Sequence, residues 1–144
     1  MLTSGQIRNL LYRTLDANLA ALRAAGLNGG IYHQRRPDNS TKTDIVLTDL
    51  SWNYDTPQTG TFNINVHVPD KSGSSADGQP QRTPQTAKLT ALTCVVRDAV
   101  EGSSVGDGID YYVENDSVIS SQNGDTYTNI RVQVINYNTK LTTI

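Results

Sequence analysis

The sequence predicts an α+β fold in the order α-β-β-β-α-β-β, with a four- to five-stranded, mostly antiparallel sheet carrying two helices on one face. Three observations carry that expectation. Two stretches repeat apolar residues at helical spacing, Ile7 to Leu22 and Leu89 to Val100. Several later runs alternate apolar and polar residues at period two, separated by Gly, Pro, Asn and Asp clusters. The polar residues are mostly Thr, Asn, Ser and Asp, a bias toward strands and turns over exposed helices. At 144 residues the chain matches the size of one domain of ~100–150 residues, and residues 1–144 are expected to form one.

The first helix is expected at about residues 4–25. Thr3 and Gln6 have the spacing of a capping box, each side chain satisfying the other residue's backbone N–H. Ile7, Leu10, Leu11, Leu15, Leu19 and Leu22 make its apolar face, and Gly26 ends it. A short strand at Gly30–Gln34 is broken by Arg35-Arg36-Pro37. Asp44 to Tyr54 is the next strand, with Val46, Leu50, Trp52 and Tyr54 on one face and Ile45 and Leu47 on the other. Trp52 and Tyr54 are expected in the core, the alternative being that they anchor an interface. After the turn residues Asp55 to Gly60, Thr61 to Val68 points Phe62, Ile64, Val66 and Val68 inward and Asn63, Asn65 and His67 outward, completing a hairpin.

Residues 69–84 hold no apolar side chain larger than Ala76 and are expected to be a flexible loop. Thr83 as N-cap and Pro84 at the first helical position open the second helix, whose stripe is Leu89, Leu92, Val96, Ala99 and Val100. Ile109 to Ser121 reads as one strand bulged near Asn115-Asp116. Asn123-Gly124 is a type I′ turn signal, and Thr126 to Tyr137 returns as the last strand. Residues 138–144 form a short polar tail.

Composition excludes several functions. Hydrophobic residues make up 36% and eleven glycines come on top, which brings the chain near the ~45–50% of globular domains counted with glycine. A net charge of −2 gives no electrostatic case for sequence-specific or generic nucleic-acid binding. The lone Cys94 allows neither an internal disulfide nor a cysteine zinc site, and its mid-helix position offers nothing to activate a thiol. No apolar run approaches the ~18 residues of a membrane span. Residues 1–8 lack the charged-then-apolar pattern of a secretion signal, so a protein that is cytosolic when made is expected. Asn39-Ser40-Thr41 and Asn115-Asp116-Ser117 are accordingly read as turns.

No chemistry-bearing motif stands out. The glycines of 102–108 lack the spacing and lysine of a phosphate loop. His33 and His67 have no ligand spacing and read as solvated strand residues. Asp107, Asp110, Asp116 and Asp125 lack the calcium-loop pattern and its terminal Glu and read as turn formers. No enzyme activity, cofactor or metal is expected. Arg35 and Arg36, at a strand exit, are either solvated or paired with acids of a neighbouring subunit. The row Asn63, Asn65, His67 is either solvent-exposed or covered by a partner through hydrogen bonds.

An N-terminal helix beginning Ile7-Arg8-Asn9-Leu10-Leu11 leads to Gly-Leu-Asn-Gly-Gly-Ile-Tyr at 26–32 and then Arg36-Pro37. A long strand pair, the helix Leu89 to Val100 and a closing Arg131-Val132-Gln133-Val134 follow. In this order of elements the chain resembles the tail terminator and tail completion (head–tail joining) proteins of long-tailed bacteriophages. The long 69–84 stretch and the polar break up to Lys42-Thr43 depart from it. The resemblance implies a structural virion protein of the tail or neck, made in the host cytoplasm. It would form a homo-oligomeric ring, usually of six subunits, on the last ring of the tail tube. The ring ends tube polymerisation and presents its other face to the head-completion or connector protein. The family supplies no invariant chemical motif, so Arg35, Arg36, Lys71 and Arg82 are physical guesses for contacts with other subunits or the tube. Other readings remain: another neck component, a non-viral ligand-binding or enzymatic α+β domain, or an adaptor offering Thr126 to Tyr137 as an edge for strand addition.

Overall fold

A computed structural model describes residues 1–103, 108–121 and 124–138. The helices are α1 (Ser4–Ala17), α2 (Leu19–Ala25) and α3 (Thr86–Gly102). The strands are β1 (Ile31–His33), β2 (Asp44–Trp52), β3 (Gln58–Pro69), β4 (Lys71–Ser74), β5 (Pro80–Thr83), β6 (Ile109–Ser120) and β7 (Asp125–Asn136). The chain is α+β. A five-stranded sheet runs β1-β2-β3-β7-β6, and β4 and β5 make a separate two-stranded ribbon. Only β1–β2 is parallel; the other pairings are antiparallel.

One face of the large sheet carries the core. Phe62, Ile64, Val66 and Val68 of β3 lie beside Ile130, Val132 and Val134 of β7, with Ile45 and Leu47 of β2 and Tyr111 of β6 flanking them. Over them lie Ile7, Leu11 and Leu15 of α1, Leu22 of α2, and Leu89, Leu92, Val96 and Val100 of α3. The expected stripes on both helices and the inward sides of β3 and β7 are therefore the ones buried. The capping box at Thr3 and Gln6 is formed, and Gly26 ends α2 with φ +121°, a backbone angle that disfavours other residues.

Several expectations need correction. The first helix is two, broken at Asn18. Its amide turns to the Leu15 carbonyl at 2.9 Å and its side chain donates to the Thr14 carbonyl at 2.8 Å. Such local bonding competes with the helical ladder. Near the start of β2 both faces are buried, Ile45 and Leu47 in the core and Val46 on the other face, and a bulge between Asp49 and Ser51 then resets the alternation. The bulge leaves Leu50 exposed and brings Trp52 back against Phe62, ring centroids 5.8 Å apart. Tyr54, beyond the strand, is exposed rather than core.

The 69–84 stretch is not an irregular loop; most of it is the β4–β5 ribbon, with Lys71 facing Thr83 and Ser74 facing Pro80. All of its strand residues are exposed, so backbone hydrogen bonds and not burial define it. Thr83 is committed to that ribbon, and Gln85 takes the N-cap of α3, its side chain anchored on the Pro69 carbonyl at 2.7 Å. Asn115 to Ser117 lie within β6, just past a bulge between Val113 and Asn115, and form no turn. β7 is an interior strand between β3 and β6, so Thr126 to Tyr137 cannot serve as an edge; the edge strands are β1 and β6. Gly124 has φ +79°, as a turn signal requires, while its neighbour Asn123, Asp107 and residues 139–144 lie outside the described residues.

Candidate functional site

The sheet face away from the helices carries most of the residues singled out above. Register sets His67 beside Asp44 on β2 and beside Tyr127 on β7, and sets Pro69 opposite Asp125. Arg36, in the β1–β2 connection, folds over this end of the sheet. Its Nη2 donates to Asp125 Oδ2, and its Nη1 lies 3.6 Å from Asp44 Oδ2. His67 Nδ1 is 3.0 Å from Asp125 Oδ2, and its ring stacks on Tyr127 at 4.8 Å. Asp44 also accepts from the Gly30 amide at 3.0 Å and from the Ser40 hydroxyl. Four segments distant in sequence are thus tied at one corner of the sheet. The Arg36 side chain is 19% exposed and Asp125 only 7%, so the acids that Arg36 meets are those of its own chain.

Electrostatics follow from that burial. Loss of water and then the Arg36 charge hold His67 below its ordinary value, against the opposing pull of Asp125. For Asp125, burial raises the pKa, but hydrogen bonds from His67 and Ser121 and the Arg36 charge outweigh it and leave it lowered. His33 is likewise lowered by desolvation and by Arg8, whose Nε donates to His33 Nδ1 at 3.1 Å while its Nη1 pairs with Asp49 at 2.8 Å. His33 stacks on Tyr12 at 4.9 Å. His33 is an exposed strand residue, as expected from sequence, whereas His67 is part-buried.

Further along the same face, Asn129 of β7 donates to Asn65 at 2.7 Å and to Asn63 at 3.3 Å. Its neighbour Arg131 has a buried Nε without a hydrogen-bond partner. The outward row Asn63, Asn65, His67 is thus continued by β7 into a half-buried polar surface of amides, one guanidinium and an aromatic pair. Arg35 is exposed, and Lys71 and Arg82 lie on the ribbon. Arg82 and Arg36 both line an open cleft of about 540 Å³ with Asp70 and Asp125.

Sequence reasoning missed Asp44, Asp125 and Arg131 as partners on this face. Their signal was only the alternation of β2 and β7, which says which face a residue shares but not what it meets. Among the described residues no group of three or more His, Cys, Asp or Glu side chains is placed to hold a metal ion. No helix among the described residues is long and apolar enough to cross a membrane. The arrangement offers hydrogen bonding and charge pairing to a macromolecular surface.

The fold has a counterpart. A chain from the virion of a native gene transfer agent particle superposes with a TM-score of 0.53 over 87% of this chain and 90% of that one, at 16% sequence identity. The likeness is one of fold. No protein-family model matches the sequence, and no curated protein does.

Proposed function

We propose that the chain is a structural, non-enzymatic virion protein of a tailed phage or phage-like particle, and that it caps the tail tube as a ring. The observation that carries the reading is the fold shared with a virion chain across nearly the full length of both. The order of elements that resembles tail terminator proteins supports the finer assignment. Three physical features agree with it. The β6 edge is unpaired, a hazard for a monomer that ring closure removes. The sheet face opposite the helices is polar and half-buried, suited to a wet protein interface. Arg35 and Lys71 are exposed cations available to another subunit or to the tube. In this reading the ring meets the tail tube protein on one side and a head-completion or connector protein on the other, in the virion neck.

The test adds the purified chain to the polymerising tail tube protein of the same particle. Tubes that stop lengthening and carry the chain at one end are expected. Tubes of unchanged length with no bound chain overturn the capping role. A neck component acting elsewhere would instead bind the connector and leave tube length unaltered.

A further inference from the structure

We infer that the β4–β5 ribbon of one copy adds to the β6 edge of a second copy of this chain; the inference deepens the ring reading and rests on it. Two features of the chain are each incomplete alone. The ribbon packs little against the helices and the large sheet, Arg82 reaching Gly124 beside β7, and every residue of its strands is exposed. An isolated two-stranded ribbon is marginal in water. β6 has a neighbour on one side only, β7. On its helix-side face Val118 is 61% exposed, and on the other face Tyr112 and Ile119 are 46% and 39% exposed. A long edge with apolar residues on both faces is a template for strand pairing.

Charge selects the occupant. Within 109–121 the acids are Asp110, Glu114 and Asp116, and there is no base. Two β6 edges meeting each other would oppose like charges, which disfavours a two-fold β6–β6 contact. The ribbon strands carry Lys71 and Arg82 and no acid. Neither cation has an ion-pair partner among the described residues, Arg82 resting its guanidinium against the Gly124 backbone. The register pairs Lys71 with Thr83 and Ser72 with Arg82, so the two cations sit on opposite faces of the ribbon. The β6 acids are split in the same way. Glu114 accepts from Gln133 on the open face, whereas Asp116 lines a cleft beneath α3 with Leu89, Thr93 and Val118. Ribbon and edge are different surfaces, so the contact is head-to-tail, the kind that closes rings.

The experiment uses the full chain carrying Cys94→Ser to remove the native thiol. Two single-cysteine variants, Ser72→Cys on the ribbon and Ser117→Cys on β6, are mixed and treated with a short bis-maleimide while light scattering reads the mass. A 72–117 cross-linked pair is expected, with neither variant cross-linking to itself. Lys71→Glu with Arg82→Glu should weaken association roughly tenfold, and Glu114→Lys with Asp116→Lys in the same chain should restore it. An assembled mass with no cross-link, or with 117–117 pairs only, overturns the contact while the ring reading stands. A monomer with no cross-link at any concentration also overturns it as a self-contact, and capping is then decided by the tube test alone. Charge reversal that leaves association unchanged overturns the electrostatic selection.

Discussion

Asp125 is the residue on which the chain's charged contacts converge. It accepts from Arg36 and His67 on one carboxylate oxygen, and its other oxygen, Oδ1, is buried without a hydrogen-bond partner. Asp125→Asn keeps the volume but leaves Arg36 facing only Asp44. Truncating one member of a largely buried charged pair strands the other, and a loss of about 2–3 kcal/mol is expected in urea unfolding. A loss below the error of that measurement would mean that the pair is solvated in solution. The same corner sets a pH dependence. His67 and His33 are held below 6.5 in the folded chain. The unfolded chain therefore takes up their protons first, and stability falls as pH drops below that value. Asp125 is held below 3.8, so its contribution is complete above that pH and is lost as pH falls through its lower folded value. Urea midpoints measured from pH 8 to pH 3 should therefore fall in two stages. His67→Gln should reduce the upper stage to what His33 supplies; an unchanged upper stage would mean that His67 is not the group responsible.

Among the elements, the β2–β3 hairpin and the ribbon make opposite demands. Gly60 sits opposite Trp52, and a Cβ there would lie 2.3 Å from the Ser51 carbonyl and 2.5 Å from the Trp52 ring. Backbone cannot yield as a flexible side chain can. Gly60→Ala should cost about 1–3 kcal/mol by overpacking and alter the near-ultraviolet dichroism of Trp52, since that ring must tilt off Phe62. A variant as stable as the parent, with an unchanged spectrum, would contradict the close approach. The ribbon behaves otherwise. Lys71 and Thr83 are paired, so a two-glycine link can replace 71–83 without straining the body. Because that ribbon buries no core residue, thermal unfolding of the shortened chain should stay within a few degrees of the parent. Its association with other copies should be lost at the same time.

At the scale of the whole molecule the open edge and the polar sheet face point to assembly. If the resemblance to tail terminators holds, a concentration series by light scattering should give a discrete species of about six subunits, a head-to-tail contact closing a ring where its rotation divides the circle. A species of two subunits would instead indicate an isologous contact and remove the ring. A monomer that nonetheless caps tubes would mean that the ring closes only on its template.

The α+β class, the two apolar helix stripes, the β2–β3 hairpin and the inward side of β3 were legible in the residues, because burial on one side imposes a period on the chain. Phe62 to Val68 and Leu89 to Val100 are read from spacing alone, and the capping box of Thr3 and Gln6 needs only its neighbours. The features that escaped depend on partners far along the chain. Nothing local marks the bulge near Leu50, which exchanges the two faces of β2. Residues 71–83 bury nothing, so no apolar period announces their pairing. Arg36 read as a solvated cation or an interface cation, because its acids, Asp44 and Asp125, come from β2 and from β7. β7 looked like an available edge because strand order is no property of a single strand. Local periodicity and capping determined the elements; only tertiary contact decided which edge stays open and which charges meet, since those depend on groups the sequence holds up to 89 residues apart.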